Sequence, residues 1–315
     1  MPAVCSKDIQ AKTISEFKII EKYLSNIGTS FNYKNKILKG VGDDAAAISL
    51  SDNLIVSTDT SVEGVHFPKG VKPEYAAYRA CVIALSDLAA MGSHPLAFQL
   101  SLSTKESSPK FFSSFKKGLQ DFSNDYKIGL TGGDLVKGQY QISVTVFGKE
   151  VSKILLRNNS KVGDIVCLSG QLGNGLLGMQ NFKKCNRKNK ISSAYLKPKA
   201  LIDYGKIIAG FASSAIDISD GFLQDLGHLS KASNVGFELS SSSIPYNSNL
   251  SLNKCLNCGD DYQLIFTVPK KNIQPLAVKM KKMNFEMYQV GTSIKTKKIY
   301  LDGKIISLNK GYKHF

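Results

Sequence analysis

The aspartates of this chain fall where chemistry, rather than solubility, would put them. Gly42-Asp43-Asp44, Ser57-Thr58-Asp59, Gly132-Gly133-Asp134, Asp217-Ile218-Ser219-Asp220-Gly221 and Gly259-Asp260-Asp261 each set an acid beside glycine or a hydroxyl residue, at the expected end of a strand or start of a helix. Adjacent carboxylates repel and resist burial, so several in one cleft are tolerable only with a compensating cation. Hard oxygen ligands suit magnesium, which takes one or two carboxylates per ion and completes its shell with water and phosphate oxygens. The pattern predicts several magnesium ions bridging a polyphosphate, and therefore phosphoryl transfer. Any single Asp-Gly pair serves equally well as a turn or a helix cap; the recurrence of the design is what favours a site.

Asp87 is the most telling single acid. Ala80, Ile83, Ala84, Asp87 and Met91 recur at helical spacing, which places a carboxylate on a mostly apolar stripe. Unpaired there it would be costly, so it holds either a cation or an arginine such as Arg79 or Arg157.

The elements that must position these acids are legible in outline. Thr13-Ile14-Ser15-Glu16 has capping-box spacing, and Ile14, Phe17, Ile20, Leu24 and Ile27 predict an amphipathic helix ending at Gly28. Residues 54–59 read as a strand ending in an acid, and 74–91 as a helix stopped by Gly92. Strands are expected at 99–102 and 141–147, a helix at 111–122, and a short strand at 127–130 running into Thr131-Gly132-Gly133-Asp134. A polar stretch over 153–164 places a domain boundary near residue 152, giving an N-terminal half, 1–152, and a C-terminal half, 153–315. The second half predicts strands at 165–168, 215–218 and 263–268, helices after Gly175, around 199–211 and over 221–232, and a closing hairpin turned by Asp302-Gly303. Strands mixed with helices, some strands antiparallel, make this a two-domain α/β or α+β chain.

With 315 residues, 43% of them hydrophobic, the chain can bury a sizeable core, and disordered tails and disulfide miniproteins are excluded. No run of about 18 apolar residues is present, and Met1-Pro2-Ala3-Val4-Cys5-Ser6-Lys7 has no signal-peptide core, so a soluble, cytoplasmic protein is expected. Its six cysteines are too few for a disulfide framework. The net charge of +16 suits capture of nucleotides as well as nucleic acids. However, the one dense basic run, Lys183, Lys184, Arg187, Lys188 and Lys190, lacks interleaved aromatics and reads as a solvated loop. No nucleic-acid or membrane partner is expected.

Other signals are weaker. Gly173-Asn174-Gly175-Leu176-Leu177-Gly178 fits a dinucleotide fingerprint, but no ribose-binding acid follows at the required distance, leaving a turn that leads into a helix. Walker A and protein-kinase loops are absent. Cys255-Leu256-Asn257-Cys258 is a lone pair with no nearby histidine and does not predict zinc. His94 and His228 read as structural, whereas His66 follows an acidic strand and is a substrate candidate.

Taken in order, Gly42-Asp43-Asp44-Ala45-Ala46, Ser57-Thr58-Asp59-Thr60, Gly64-Val65-His66-Phe67, Ser86-Asp87-Leu88-Ala89-Ala90-Met91-Gly92, Gly132-Gly133-Asp134, Ile216-Asp217-Ile218-Ser219-Asp220-Gly221, Gly259-Asp260-Asp261-Tyr262 and Gly311-Tyr312-Lys313-His314-Phe315 resemble the thiamine-monophosphate kinase family, over essentially the whole chain. The Gly-Asp pairs alone would also fit the wider superfamily of aminoimidazole ribonucleotide and selenophosphate synthetases. Cys5 lacks the glycine context of the latter.

The resemblance implies ATP-dependent phosphorylation of thiamine monophosphate to thiamine diphosphate. It also implies a homodimer in which N-terminal strands form a β-barrel across the two copies, with a C-terminal α/β half over the cleft. Carried over by position, Asp44, Ser57, Thr58, Asp59, Asp87, Asp134, Asp217 and Asp220 are the implied magnesium ligands, with Asp44, Asp87, Asp134 and Asp220 central to catalysis. Gly133, Asp134, Arg157 and Ser219 would meet ATP; His66 and Asp260 would meet the thiamine phosphate. Where the family usually has Gly-Glu-Asp-Tyr-Glu, this chain has Gly259-Asp260-Asp261-Tyr262-Gln263, an acid one methylene shorter, and Asn309 replaces a frequent aromatic.

Overall fold

The computed structural model describes residues 15–41, 46–184 and 190–306. Thr13 and Ile14 of the expected capping box, Asp43 and Asp44, Arg187 and Lys188, Cys5 and Cys185, Asn309 and the motif at 311–315 lie outside these residues.

The chain opens with α1 (Glu16–Ile19), which widens into a π-helical turn at Ile20–Leu24. The extra residue in that turn rotates the helix, so Tyr23 joins Ile19, Leu24 and Ile27 in the core while Ile20 is only half-buried. A two-stranded ribbon, β1 (Ile37–Lys39) with β2 (Ala47–Ile48), precedes β3 (Leu54–Val62) and α2 (Pro73–Ala90). Then come β4 (His94–Ser103), α3 (Pro109–Tyr126), β5 (Gly129–Val136) and β6 (Gln141–Lys149). These build a four-stranded sheet in the order β3-β6-β4-β5, parallel only between β4 and β5.

Strands β3, β4 and β5 run further than the sequence predicts, and for β3 and β5 this moves an acid inside the strand. Asp59 pairs with Val144 in mid-β3, and Asp134 sits beside Ser101 within β5, so neither acid ends its strand. Strands β3 and β5 lie at the sheet's edges with one rim in water, where polar side chains do not interrupt pairing.

The second half contains β7 (Ile165–Leu168), α4 (Asn174–Gln180), α5 (Lys190–Leu196), α6 (Ile202–Ile208), β8 (Ser214–Asp217) and α7 (Phe222–Ser233). It continues with β9 (Gly236–Leu239), α8 (Leu252–Asn257), β10 (Leu264–Val268), α9 (Lys270–Lys282), β11 (Tyr288–Ile294), β12 (Ile299–Leu301) and β13 (Lys304–Ile305). Its sheet runs β13-β12-β9-β11-β7-β10-β8. The Asp-Gly hairpin forms as expected, with Asp302 and Gly303 at φ 50° and 76°. Helices α5 and α8 and strands β9 and β11 are not expected from the sequence; α9 is masked there by its internal Pro275 and run of lysines, which leave only Leu276 and Met280 buried.

Helix α2 explains how the halves fit together. Ala76, Ala77, Ala80, Cys81, Val82, Ala84, Leu85, Leu88 and Ala89 are all at most 2% exposed, so the helix is buried nearly all round. It packs on β3 and β6 of the first sheet, on α3, and on α6 and β8 of the second half. One large core therefore spans both halves. Small residues permit this closeness: a Cβ at Gly205 of α6 would lie 2.0 Å from the Ala89 carbonyl oxygen. Beyond the first turn Ile83 and Asp87 are the half-buried exceptions; Ile83 lines the cleft described next, and Asp87 meets Ser57 of β3. No helix of the described residues is long and apolar enough to cross a membrane.

Candidate active site

The alternation of β3 turns Ser57 and Asp59 to one side of the strand and Thr58 and Thr60 to the other. Thr58 and Thr60 make hydroxyl pairs with Thr145 and Ser143 of β6, each at 2.8 Å. Ser57 donates its hydroxyl to Asp87 of α2. Asp59 shares a hydrogen bond with the same carboxyl, and burial, together with the charge of Asp87, pushes its pKa up to about 6. From the second half, buried Asp217 accepts from the Ser86 hydroxyl at 2.7 Å. Burial raises Asp217 to about 8, with Asp87 adding to the rise and Ser86 and Arg157 opposing it. Among the described residues no lysine or arginine forms an ion pair with Asp59, Asp87, Asp217 or Asp220. The arginine partner considered for Asp87 is thus not there. Carboxyls converge, and burial with the charge of Asp87 shifts Asp59 and Asp217 toward their protonated forms.

Asp220 follows at the turn into α7. The sequence did not single out Asp225, yet it organises this turn: one of its oxygens accepts the backbone N–H of Ser219, Asp220 and Gly221, each at 3.1 Å. Burial and the neighbouring Asp220 raise Asp225 to about 7 against those three donors. An acid in the first turn of a helix that follows a glycine was the available signal. Gln224 donates to Asp220 at 3.0 Å. Ligand atoms of Asp220, Asp225 and exposed His228 lie within 4.8 Å of one another.

Asp59 and Asp220 of this cluster line a cavity of about 840 Å³ formed from both halves, with Thr58 and His66 on one side and Ser219 and Asp260 on the other. Its apolar wall includes Val65, Phe67, Ile83, Leu176 and Met179. His66 Nδ1 accepts the Val62 N–H at 3.0 Å, which puts the proton of the neutral ring on Nε2. The Tyr195 hydroxyl donates to the His66 carbonyl at 3.1 Å.

The adjacent acids of the 259–261 segment part company. Asp260 pairs with buried Arg79. Asp261 turns to the glycine-rich turn ahead of α4, accepting the N–H of Gly173 at 2.7 Å and of Gly175 at 2.9 Å. The apparent dinucleotide fingerprint is therefore a helix-leading turn held by a carboxylate. Cys255 and Cys258 carry free thiols, and burial pushes Cys258 up to about 12.

Six expected contributors are not among the residues that line the cavity: Ser57, Asp87 and Asp217, which belong to the acid cluster beside Asp59, and Arg157, Gly133 and Asp134. Arg157 is exposed on a 3-10 turn, close enough to Asp217 to act on its charge. Gly133 and Asp134 are exposed on β5, separated from β3 by β6 and β4, which at ~4.8 Å per strand is ~14 Å. Within one chain Asp134 does not reach Asp59.

Comparison with known proteins agrees with this architecture. Residues 42–149 match the AIR synthase related protein, N-terminal domain, and residues 161–304 its C-terminal domain. The thiamine-monophosphate kinase of Buchnera aphidicola subsp. Schizaphis graminum is 38% identical, with 96% of this chain and 99% of that protein covered. The enzyme of Escherichia coli K12 is 32% identical over 95% and 98%. The structure of thiamine-monophosphate kinase from Stenotrophomonas maltophilia K279a superimposes with a TM-score of 0.82 at 28% identity, covering 94% of this chain and 99% of that one. AaThiL complexed with AMPPCP and TMP gives 0.76 at 28% identity, covering 95% and 97%. With its two matched domains, its full-length relatives and its shared fold, the chain belongs to the thiamine-monophosphate kinase family of AIR synthase-related proteins.

Proposed function

We propose that the acid-lined cavity is where this chain carries out its family's reaction, transfer of the γ-phosphoryl group of ATP to thiamine monophosphate to give thiamine diphosphate and ADP. The observation that carries the reading is the convergence of Asp59, Asp87 and Asp217 without an ion-pairing base among the described residues, with Asp59 itself lining the cavity that His66 and Asp260 also line. The AMPPCP and TMP held by AaThiL support both ligands.

Ser57, Thr58, Asp59, Asp87, Asp217 and Asp220 fit as holders of divalent cations, because they offer hard oxygens, and the raised pKa values of Asp59 and Asp217 record a crowding of carboxyls that a cation would relieve. Asp44 belongs to the proposed set but lies outside the described residues. Magnesium bound there supplies charge neutralisation to the phosphates of both substrates. The chain's own groups bind and orient. Arg157 meets the ATP phosphates from the rim, Ser219 lines the nucleotide side on the turn that Asp225 fixes, and His66 donates from Nε2 to the acceptor phosphate. That phosphate, a monoester with a second pKa near ~6, is already mostly dianionic at neutral pH. Its oxygen attacks the γ-phosphorus in line as the bond to ADP breaks, and no side-chain base is required.

A homodimer completes the reading. The four-stranded sheet leaves β3 and β5 as free edges, with Leu54, Val56 and Val136 exposed along them. Closing those edges against a second copy forms the barrel and brings Gly133 and Asp134 of one copy to β3 of the other. We divide the chain near residue 152 into a barrel-forming and a cleft-covering domain and place it in the cytoplasm, where ATP is available.

The test is to incubate purified protein with ATP, magnesium and thiamine monophosphate and follow thiamine diphosphate and ADP, with free thiamine as the control acceptor. Stoichiometric diphosphate and ADP are expected. ATP consumption without thiamine diphosphate would sink the proposal.

A further inference from the structure

Among the described residues Asp260 uses only one of its oxygens. Oδ1 receives both the Arg79 Nη2 and the Tyr262 hydroxyl, the latter at 2.8 Å. Oδ2 has no partner among the described residues, and the side chain, 30% exposed, lines the cavity. Arg79 is itself locked: it is 2% exposed, gives Nη1 to the Tyr195 carbonyl at 2.9 Å, and lies 3.9 Å from the centroid of the Tyr195 ring. Its Nε is buried with no partner among the described residues, which is a poor arrangement for stability alone. Asp260 and Tyr262 both hold left-handed backbone, at φ 66° and 49°, a conformation that an aromatic residue adopts only under constraint. A strained segment, a buried cation and a buried hydroxyl all converge on one oxygen.

We infer that Arg79 and Tyr262 are positioning residues that hold Asp260 by Oδ1 so that Oδ2 alone is presented to the acceptor. This rests on the proposed acceptor being thiamine monophosphate. That molecule carries, at the end away from its phosphate, an aminopyrimidine whose exocyclic amine is an N–H donor. A fixed carboxylate oxygen in a partly apolar cavity selects such a donor and rejects an analogue that offers an oxygen in its place. Arg79 comes from α2, two turns before Asp87, so the same helix sets the acceptor's ring end and the acid cluster at a fixed separation.

The test compares kcat/KM for thiamine monophosphate with that for the analogue in which oxygen replaces the exocyclic amine, in the unmodified protein and in Tyr262→Phe, Arg79→Met and Asp260→Asn. The unmodified protein should favour the amine by ~10- to 100-fold. Tyr262→Phe removes one hydroxyl and keeps the ring, so it should fold. It should raise KM for thiamine monophosphate by ~3- to 10-fold and shrink the preference, while KM for ATP moves less than ~2-fold. Asp260→Asn should nearly abolish the preference. Equal discrimination in all four proteins, or parallel rises in both KM values, would overturn the inference. Absence of any turnover of thiamine monophosphate by the unmodified protein would instead remove the acceptor assignment on which it rests.

Discussion

Ser86 of α2 donates its hydroxyl to Asp217 at the end of β8, 2.7 Å away, fastening the two halves of the chain together one residue from Asp87. Around that bond Asp87 raises the pKa of both Asp59 and Asp217, so it is the electrostatic centre of the cluster.

Asp87→Asn should therefore act in opposite directions on activity and on stability. Removing the central charge takes a ligand from the proposed cation site, and turnover should fall by ~10²-fold or more at saturating magnesium. The same change relieves repulsion on Asp59 and Asp217, so the metal-free variant should melt above the unmodified metal-free protein. Coupled ADP release and thermal melting in a chelator check both halves.

Stability without metal should depend on pH in an unusual sense. Asp59, Asp225 and Asp217 titrate near 6, 7 and 8 in the fold, against 3.8 for an ordinary aspartate. Raised folded values mean that their contribution is complete below the unfolded pKa and is lost as pH rises through the folded ones. In a chelator the protein should melt higher at about pH 5.5 than at about pH 8, and magnesium should recover more at the higher pH. Melting temperatures at both pH values, with and without magnesium, decide this; a flat profile would contradict the crowding.

Asp261→Ala removes the acceptor for the Gly173 and Gly175 N–H groups. Leaving both donors unpaired should cost about 2 kcal/mol, read from urea unfolding, because the cost of keeping the carboxylate buried is recovered in part. Because α4 carries Leu176 and Met179 into the cavity wall, KM for thiamine monophosphate should rise as well. Asp261→Asn, which keeps an acceptor oxygen, should lie between.

If Asp134 of one copy serves the site of the other, two inactive variants should complement. In a hybrid of an Asp134→Asn chain with an Asp87→Asn chain, one of the two sites holds both intact acids. Random mixing should restore about a quarter of the unmodified activity. Mixed and co-refolded proteins that stay inactive would place both acids in one chain's site.

Much of this organisation is legible in the sequence, for identifiable reasons. Helix α2 and its half-buried Asp87 stood out because an acid on an apolar stripe violates the ordinary pattern, and the Asp302-Gly303 hairpin because its turn chemistry is local. Partners separated by long stretches of chain were not legible. Nothing in the spacing says that Arg79 meets Asp260 rather than Asp87, or that neighbouring Asp260 and Asp261 face different elements. The lengths of β3 and β5 were underestimated because polar residues on an edge strand look like a strand's end until its pairing is known. Asp225 was passed over because a buried acid satisfied entirely by nearby backbone N–H groups looks, in sequence, like any first-turn helix acid.

Because α2 is enclosed by both halves, with a glycine of α6 against its backbone, the two halves cannot swing apart like a clam-shell without tearing open the principal core. Admission of the acceptor and escape of the diphosphate must therefore use local excursions of the cavity's own wall, where Leu176, Met179 and Tyr195 stand on short helices. The hinge that many two-lobed enzymes use is welded shut in this one, and its breathing is confined to a side door.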